Sequence, residues 1–434
     1  MPPAPQVSFR SSVSKSLATG LLITFIILGI KWCAEQTLLY KSIQTAAYVW
    51  LQGRLTPPMK REALPIVLVD ISPLKPVARQ VEGKEFSETP RDKLLELIRA
   101  VAKQHPRVIG VDIDFSPVEH GYVNFRDPKF FRDVIAISKD KESPVPIFLG
   151  IKRSDNKPRE NWLSDPEFAE LAADISVPID DNRKMFKSLW LVSTGNSASS
   201  TGKTMSASLA SGLVKSQVRV STKLDWLVKE TSEGALTDTM RAEVFLVDFS
   251  PLNAIRETRL TTDDPGAIAT NSWMLRDKAV LLGDGVPTAP RDQFIVPLQD
   301  EKQPVPGAYL HACAAYTLVQ SSLFEFTGLG QLGTDLLLSI TVLLCVITAS
   351  IYVSRTGRLA ELRTAYLFTF LVTFIALVVG VVFVTKTRVV WDDFLFVTLA
   401  LWIHPVAHRG LVWSWQRLRA NGPTFVTRLF SKKE

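Results

Sequence analysis

Long apolar runs lie near both ends of the chain, and a broad middle alternates short apolar stretches with polar ones. Ala365–Val384 carries no charge and matches the roughly 20 residues that cross a bilayer as a helix. Leu336–Val353 is likewise uncharged. Leu17–Ile30 is shorter, but Trp32, Cys33 and Ala34 extend it past Lys31, whose long stem can snorkel to the interface. Phe394–Ile403, widened to Trp391–Ala407, has Asp392 and Asp393 at one end and His408 and Arg409 at the other. The pattern predicts about four transmembrane helices, one before the middle and three after it. Arg10 and Lys15 before the first run would also suit a signal peptide. No small-residue cleavage site follows in Lys31–Glu35, so an uncleaved anchor is expected.

The middle, residues 35–331, contains no run of membrane length. Six short segments are continuously apolar: Pro65–Asp70, Val108–Asp114, Val145–Ile151, Leu189–Ser193, Glu243–Asp248 and Lys278–Gly283. Continuous rather than alternating apolarity is the pattern of parallel strands buried on both faces. Arg91–Gln104 places Leu94, Leu95, Ile98, Val101 and Ala102 on one helical stripe, with Thr89 as N-cap and Pro90 in the first turn. His311–Phe324 predicts a second helix running almost directly into an apolar run, and Gly195–Gly212 a loop followed by a short helix. The expected fold class is α/β, a mostly parallel sheet flanked by helices.

Charge matters here only through its location. The chain of 434 residues has a net charge of +7. Residues 1–34 hold Arg10, Lys15 and Lys31 and no acid, and residues 332–434 hold 11 basic against 5 acidic residues. The middle is left with 36 basic and 38 acidic residues. A basic excess confined to the flanks of apolar runs is the positive-inside pattern and argues against a nucleic-acid partner. It places both termini and the Arg355, Arg358, Arg363 loop in the cytoplasm, Lys386 and Arg388 in a short outer turn, and residues 35–331 outside. Trp413 and Trp415 among basic residues predict that the tail begins on the lipid surface of the inner leaflet. Three cysteines and no Cys-x-x-Cys exclude a disulfide scaffold or a Cys-built zinc module.

Candidate chemistry gathers at strand ends. Asp70, Asp112, Asp114 and Asp248 each close an apolar segment, and parallel sheets collect their ligands at the carboxyl ends of strands. Converging carboxylates would need a cation, a Lys or Arg, or a ligand ammonium to neutralise them. The alternative is that they cap helices and bind loop amides. Both remain open, and so does a metal. Ser197–Thr204 ends in Gly-Lys-Thr, but Ser197 stands where a phosphate-binding loop needs glycine, which favours a plain loop. His105, His120, His311, His404 and His408 show no metal-binding spacing, and His311 reads as a hydrogen-bonded interface residue. With no Gly-x-Ser-x-Gly and no nucleophile–base pair, an enzyme is not expected, and no cofactor is implied.

The strands and their flanks resemble the second type of CHASE domain, an extracellular sensory module of bacterial membrane receptors. The likeness lies in Pro-Ile-Val-Leu-Val-Asp70, Thr89-Pro90-Arg91 with its helix, and Val108–Ser116. It continues in Asp180-Asp181-Asn182-Arg183, in Lys278–Gly283 followed by Asp292 and Pro297, and in Pro306-Gly307 through His311-Ala312. It covers about residues 40–330, and the flanking helices match the family's layout. The resemblance implies candidate ligand-binding residues Asp70, Arg91, Asp112, Asp114 and Asp292. In such receptors an output domain follows the last helix. Residues 408–434 are too few for one, so none is expected in this chain.

Four regions follow: residues 1–34 as cytoplasmic N-terminus and first helix, 35–331 as the extracytoplasmic sensory domain, 332–407 as three further helices, and 408–434 as a basic cytoplasmic tail. The expected function is a non-enzymatic sensor subunit of a bacterial inner membrane, with a periplasmic domain and a separate protein partner in or at the membrane. The alternative is a structural or assembly subunit that docks an envelope complex through the exported domain. Homo-oligomerisation is open. Gly328 and Gly330 would form the hinge between domain and membrane. Cysteines placed at His120 and Glu230 should react with an impermeant thiol reagent added to intact cells, and those at Ala360 and Phe425 only after permeabilisation. Reaction of the latter pair in intact cells would overturn the topology.

Overall fold

The computed structural model describes residues 63–81, 84–116, 126–152, 162–176, 179–180, 185–193, 204–214, 240–286, 292–296, 304–320, 324–325 and 389–390, with isolated positions at 29–52 and 333–378. The chain divides into two compact units. One is Thr45–Glu325 with Thr387–Val390, and the other is Met1–Gln44, Phe326–Lys386 and Trp391–Glu434. The four apolar runs, but for isolated positions, and Gly328 and Gly330 lie outside the described residues. Among the described residues no helix is long and apolar enough to cross a membrane.

The first unit is built on strands β1 (Ile66–Asp70), β4 (Val108–Val111), β5 (Ile147–Ile151), β6 (Ala172–Asp174), β10 (Leu260–Thr261) and β11 (Ala279–Gly283). They form one six-stranded sheet in the order β10-β1-β11-β4-β5-β6, and every pairing is parallel. All residues of β1, β4 and β11 are buried, as expected of strands covered on both faces. Helices α1 (Arg91–Ala102) and α2 (Asp127–Ser138) pack together, and α1 also meets α6 (Pro265–Thr270). Val67, Val69, Ile109, Val111, Val280 and Leu282 join these helices in one core. Alternate residues of the same strands face α4 (Met205–Leu213) and α8 (Gly307–Gln320), which pack on each other, α4 on β4 and α8 on β1.

Small residues set how closely α4 and α8 approach the sheet. A Cβ at Gly110 would lie 2.7 Å from Sδ of Met205, one at Gly283 would lie 3.0 Å from Cβ of Ala308, and one at Gly212 would lie 2.4 Å from Cβ of Val108. Helix starts follow local chemistry. The Thr204 hydroxyl accepts from Ala207 N at the head of α4, and the Asp264 carboxylate accepts from Gly266 N at the head of α6.

The structure departs from the sequence expectation in three places. The segments at Leu189–Ser193 and Glu243–Asp248 are strands, but not of the parallel sheet. They belong to β8 (Met185–Ser193) and β9 (Met240–Leu246), which pair antiparallel beside β7 (Ile179–Asp180) in a separate sheet. Their apolar composition is the same, and partner choice is settled by tertiary context. The helix foreseen at His311–Phe324 is α8, which starts at Gly307 and stops at Gln320. Phe324 instead opens a two-residue strand, β12 (Phe324–Glu325), paired in parallel with β13 (Val389–Val390). Thr89 does not cap α1. Pro90 occupies the N-cap without a side-chain bond, and the Thr89 carbonyl accepts from Nη1 of Arg91. Strands β6 and β10, the hairpin of β2 (Val77–Val81) and β3 (Lys84–Glu88), and helices α2, α3 (Pro166–Ala169), α5 (Leu252–Glu257), α6 and α7 (Ser272–Leu275) had no forecast.

Gly150 in β5 faces backbone on both sides, with a built Cβ 2.6 Å from Ile113 O and 3.0 Å from Val111 O. Neither oxygen can rotate away. Gly150→Ala should therefore cost about 2–3 kcal/mol, the scale of an overpacked core, read as a lower denaturant midpoint at unchanged slope.

Candidate functional site

The carboxyl edge of the parallel sheet holds two polar constellations, one at β1 and one at β4. Asp70 ends β1 and is wholly buried. Its Oδ1 accepts from Ser72 N at 3.1 Å and Gly285 N at 2.8 Å, and its Oδ2 accepts from Thr261 Oγ1 at 3.0 Å. Nε of Arg259 lies 3.9 Å away. Residue 285 must be glycine, because its Cβ would fall 2.4 Å from Cγ of Asp70. Arg259 also donates to Gly285 O and to Oη of Tyr309 on α8. Asp70 thus cross-links three chain segments.

The second constellation is less satisfied. Asp112 follows β4, and its backbone continues the ladder by donating to Leu282 O at 2.7 Å. Its side chain is 11% exposed, and Nε2 of His311 lies 3.8 Å from its Oδ1, beyond hydrogen-bond reach. His311 stands in the first turns of α8, and its Nε2 is 3.1 Å from Ile175 O. A carbonyl can only accept, so Nε2 carries the proton. Burial pushes Asp112 from its ordinary 3.8 up to about 7. The charge of Asp284 adds to the rise, Lys152 opposes it, and Asp114 contributes the least.

Asp292 joins this group, raised to about 6 by burial and by the charge of Asp112. Its Oδ1 accepts from Gly307 N at 3.0 Å, which makes Asp292 the cap of the first turn of α8. Burial lowers His311 to about 4 against the opposing pull of Asp174, the Ile175 carbonyl and Asp292. His311 is therefore neutral near pH 7 and cannot neutralise Asp112. Lys152 is the cation that opposes the rise at Asp112, and its Nζ is 3.5 Å from Oδ2 of Asp114 at the exposed rim. Among the described residues no group of three or more His, Cys, Asp or Glu is arranged to hold a metal ion.

The structure divides the five candidate residues. It brings Asp112 into electrostatic contact with Asp114 and Asp292, and it leaves Asp70 at the same sheet edge with its carboxyl group bonded internally. Arg91 is used elsewhere. Its Nε donates to Asp127 Oδ1 at 2.6 Å, both side chains are buried, and its guanidinium lies 4.5 Å from the Phe115 ring centre. That pair anchors an aromatic cluster of Phe115, Phe130, Phe131, Trp162 and Phe168. Asp248 is not among the groups that act on Asp112; it lies on the buried loop after β9, its Oδ1 accepting from Ser250 N. Of the phosphate-loop-like segment only Thr204 is described, and its hydroxyl serves as a helix cap. His105 follows α1 with φ 55° and its Nδ1 2.8 Å from Ser143 Oγ.

Asp284, Lys152 and Asp174 were not foreseen. Each follows or ends a strand, and Asp284 stands directly after Lys278–Gly283, where the rule applied to Asp70 would have found it. A family model, CHASE2 domain, matches residues 20–349 of the chain. No curated protein and no solved structure matches it.

Asp112 and Asp292 bind their protons more tightly folded than unfolded. Their contribution to stability is complete below about 4 and is lost as pH rises through about 6 and about 7. His311 works oppositely, its contribution complete above 6.5 and lost as pH falls through about 4. Asp112→Asn should therefore unfold at a higher temperature than wild type at pH 8 and at nearly the same temperature at pH 4. The gap at pH 8 should be a few kcal/mol, at about 1.4 kcal/mol per pH unit. Thermal unfolding of the purified full-length chain across pH 4–8 measures it, and parallel profiles would refute the assignment.

Proposed function

Because the chain belongs to the CHASE2 domain family, a family of extracellular sensory domains, we propose that it is a non-enzymatic membrane sensor subunit. Its input site is the Asp112–Asp284–Asp292 pocket, and its partner is a separate protein in or at the membrane. The observation that carries this reading is the double role of Asp292. The same carboxylate belongs to the crowded acidic pocket and caps α8. Any input that brings positive charge to the pocket relieves the mutual repulsion of Asp112, Asp284 and Asp292 and strengthens that cap. The response then lies in α8, which ends at Gln320, 16 residues before the apolar run at Leu336.

In this reading the apolar runs anchor the chain in a bacterial inner membrane with residues 35–331 outside and both termini in the cytoplasm. The basic charge of the terminal regions, against the slightly acidic middle, supports that orientation. The site takes a cationic organic group, an ammonium, with Lys152 and Asp114 at its rim. Arg91 and Asp70 act from behind as rigid supports.

The test is a titration of the detergent-solubilised full chain at fixed pH 7.5 with spermidine, magnesium and calcium, followed by thermal unfolding and amide exchange. Spermidine should raise the unfolding temperature saturably and slow exchange in the first turns of α8, with magnesium and calcium as the comparison for general charge screening. Asp112→Asn should abolish both effects. Stabilisation that survives Asp112→Asn, or none by spermidine beyond that of the metal ions, would reject the acidic group as the input site.

A further inference from the structure

Three buried residues after β9, Val247, Asp248 and Phe249, have no regular secondary structure. A buried loop must find partners for its backbone groups. Here they come from two distant parts of the chain. Tyr48 Oη donates to Val247 O, and Gln52 Oε1 accepts from Phe249 N at 2.9 Å. Between them, Thr317 Oγ1 on α8 accepts from Asp248 N at 2.9 Å while donating to Cys313 O at 2.7 Å. The side chains that supply these bonds are buried as well, with residue exposures of 1% for Tyr48, 8% for Gln52 and 0% for Thr317.

The geometry explains the spacing. Gln52 N donates to Tyr48 O at 3.1 Å, so the two residues sit one helical turn apart with side chains on one face, about 5–6 Å from each other. Val247 and Phe249 stand two positions apart along the loop. One turn of helix thus reads Val247 and Phe249, and the residue between them faces the other way, to Thr317. Residues 45–52 begin the compact unit, and α8 lies near its end. Entry and exit are therefore bonded to consecutive residues of one buried loop.

We infer that Val247–Phe249 is a coupling block that makes the entry segment and α8 move together, with Tyr48, Gln52 and Thr317 as its positioning residues. This stands on the hydrogen bonds alone and holds whether or not the acidic pocket is the input. With no water to replace a lost partner, loosening one side leaves a buried amide unpaired and weakens the loop's hold on the other.

Amide exchange by mass spectrometry on the detergent-solubilised full chain tests it. Gln52→Ala should speed exchange not only in residues 45–52 but also across Cys313–Gln320, by on the order of tenfold. Thr317→Val should do the converse. Thr317→Ser, which keeps the hydroxyl, should leave the entry segment at its wild-type rate, and this arm covers the case in which Thr317→Val fails to fold. Faster exchange confined to the segment that carries the substitution would overturn the inference, and so would equal loosening by Thr317→Ser and Thr317→Val.

Discussion

The buried carboxylate of Asp70 organises the edge on which every polar feature of this domain is placed. A polar group with no exposure is tolerated only where hydrogen bonds replace its water. Here they come from Ser72, Gly285 and Thr261, with Arg259 close by. These partners belong to the turn after β1, the loop after β11 and the neighbouring β10. Fixing that loop also directs Asp284, which stands between Gly283 and Gly285, and Arg259 passes the constraint on to Tyr309 of α8. Removal of the carboxylate would unpair donors on three segments at once.

Two carboxylates so close along one sheet edge have opposite economies. Asp70 is saturated and supports its surroundings. Asp112, its side chain 11% exposed, lies among Asp284, Asp292 and Asp114, with a neutral His311 as neighbour. The cost is held in place by the rest of the sheet. Local destabilisation maintained by a rigid frame recurs at functional sites, though structural networks of charges perturb pKa values as well.

Much of the sheet was legible because β1, β4, β5 and β11 are apolar without alternation, which only a strand covered on both faces requires. The same composition in β8 and β9 hid their antiparallel pairing. Composition reports burial, whereas strand direction is decided by tertiary connections that no local window contains. Strands β6 and β10 are too short, at 3 and 2 residues, to carry a pattern. Asp112, Asp114 and Asp292 could be placed from strand ends and motifs. The pairing of Arg91 with Asp127 could not, since 36 residues separate them and nothing local marks the partner. His311 was foreseen as a hydrogen-bonded residue, but its place beside Asp112 emerges only once α8 crosses the sheet.

The short parallel pairing of Phe324–Glu325 with Val389–Val390 has a consequence of parity. It brings two points on the chain, with residues 326–388 between them, to one location, so that intervening stretch is a closed circuit. A closed circuit that passes through a bilayer must pass through it an even number of times. The two uncharged runs it contains, Leu336–Val353 and Ala365–Val384, satisfy that count as a pair and fail it singly. In the proposed membrane-anchored form, neither run could then leave or invert alone without unzipping this little ladder.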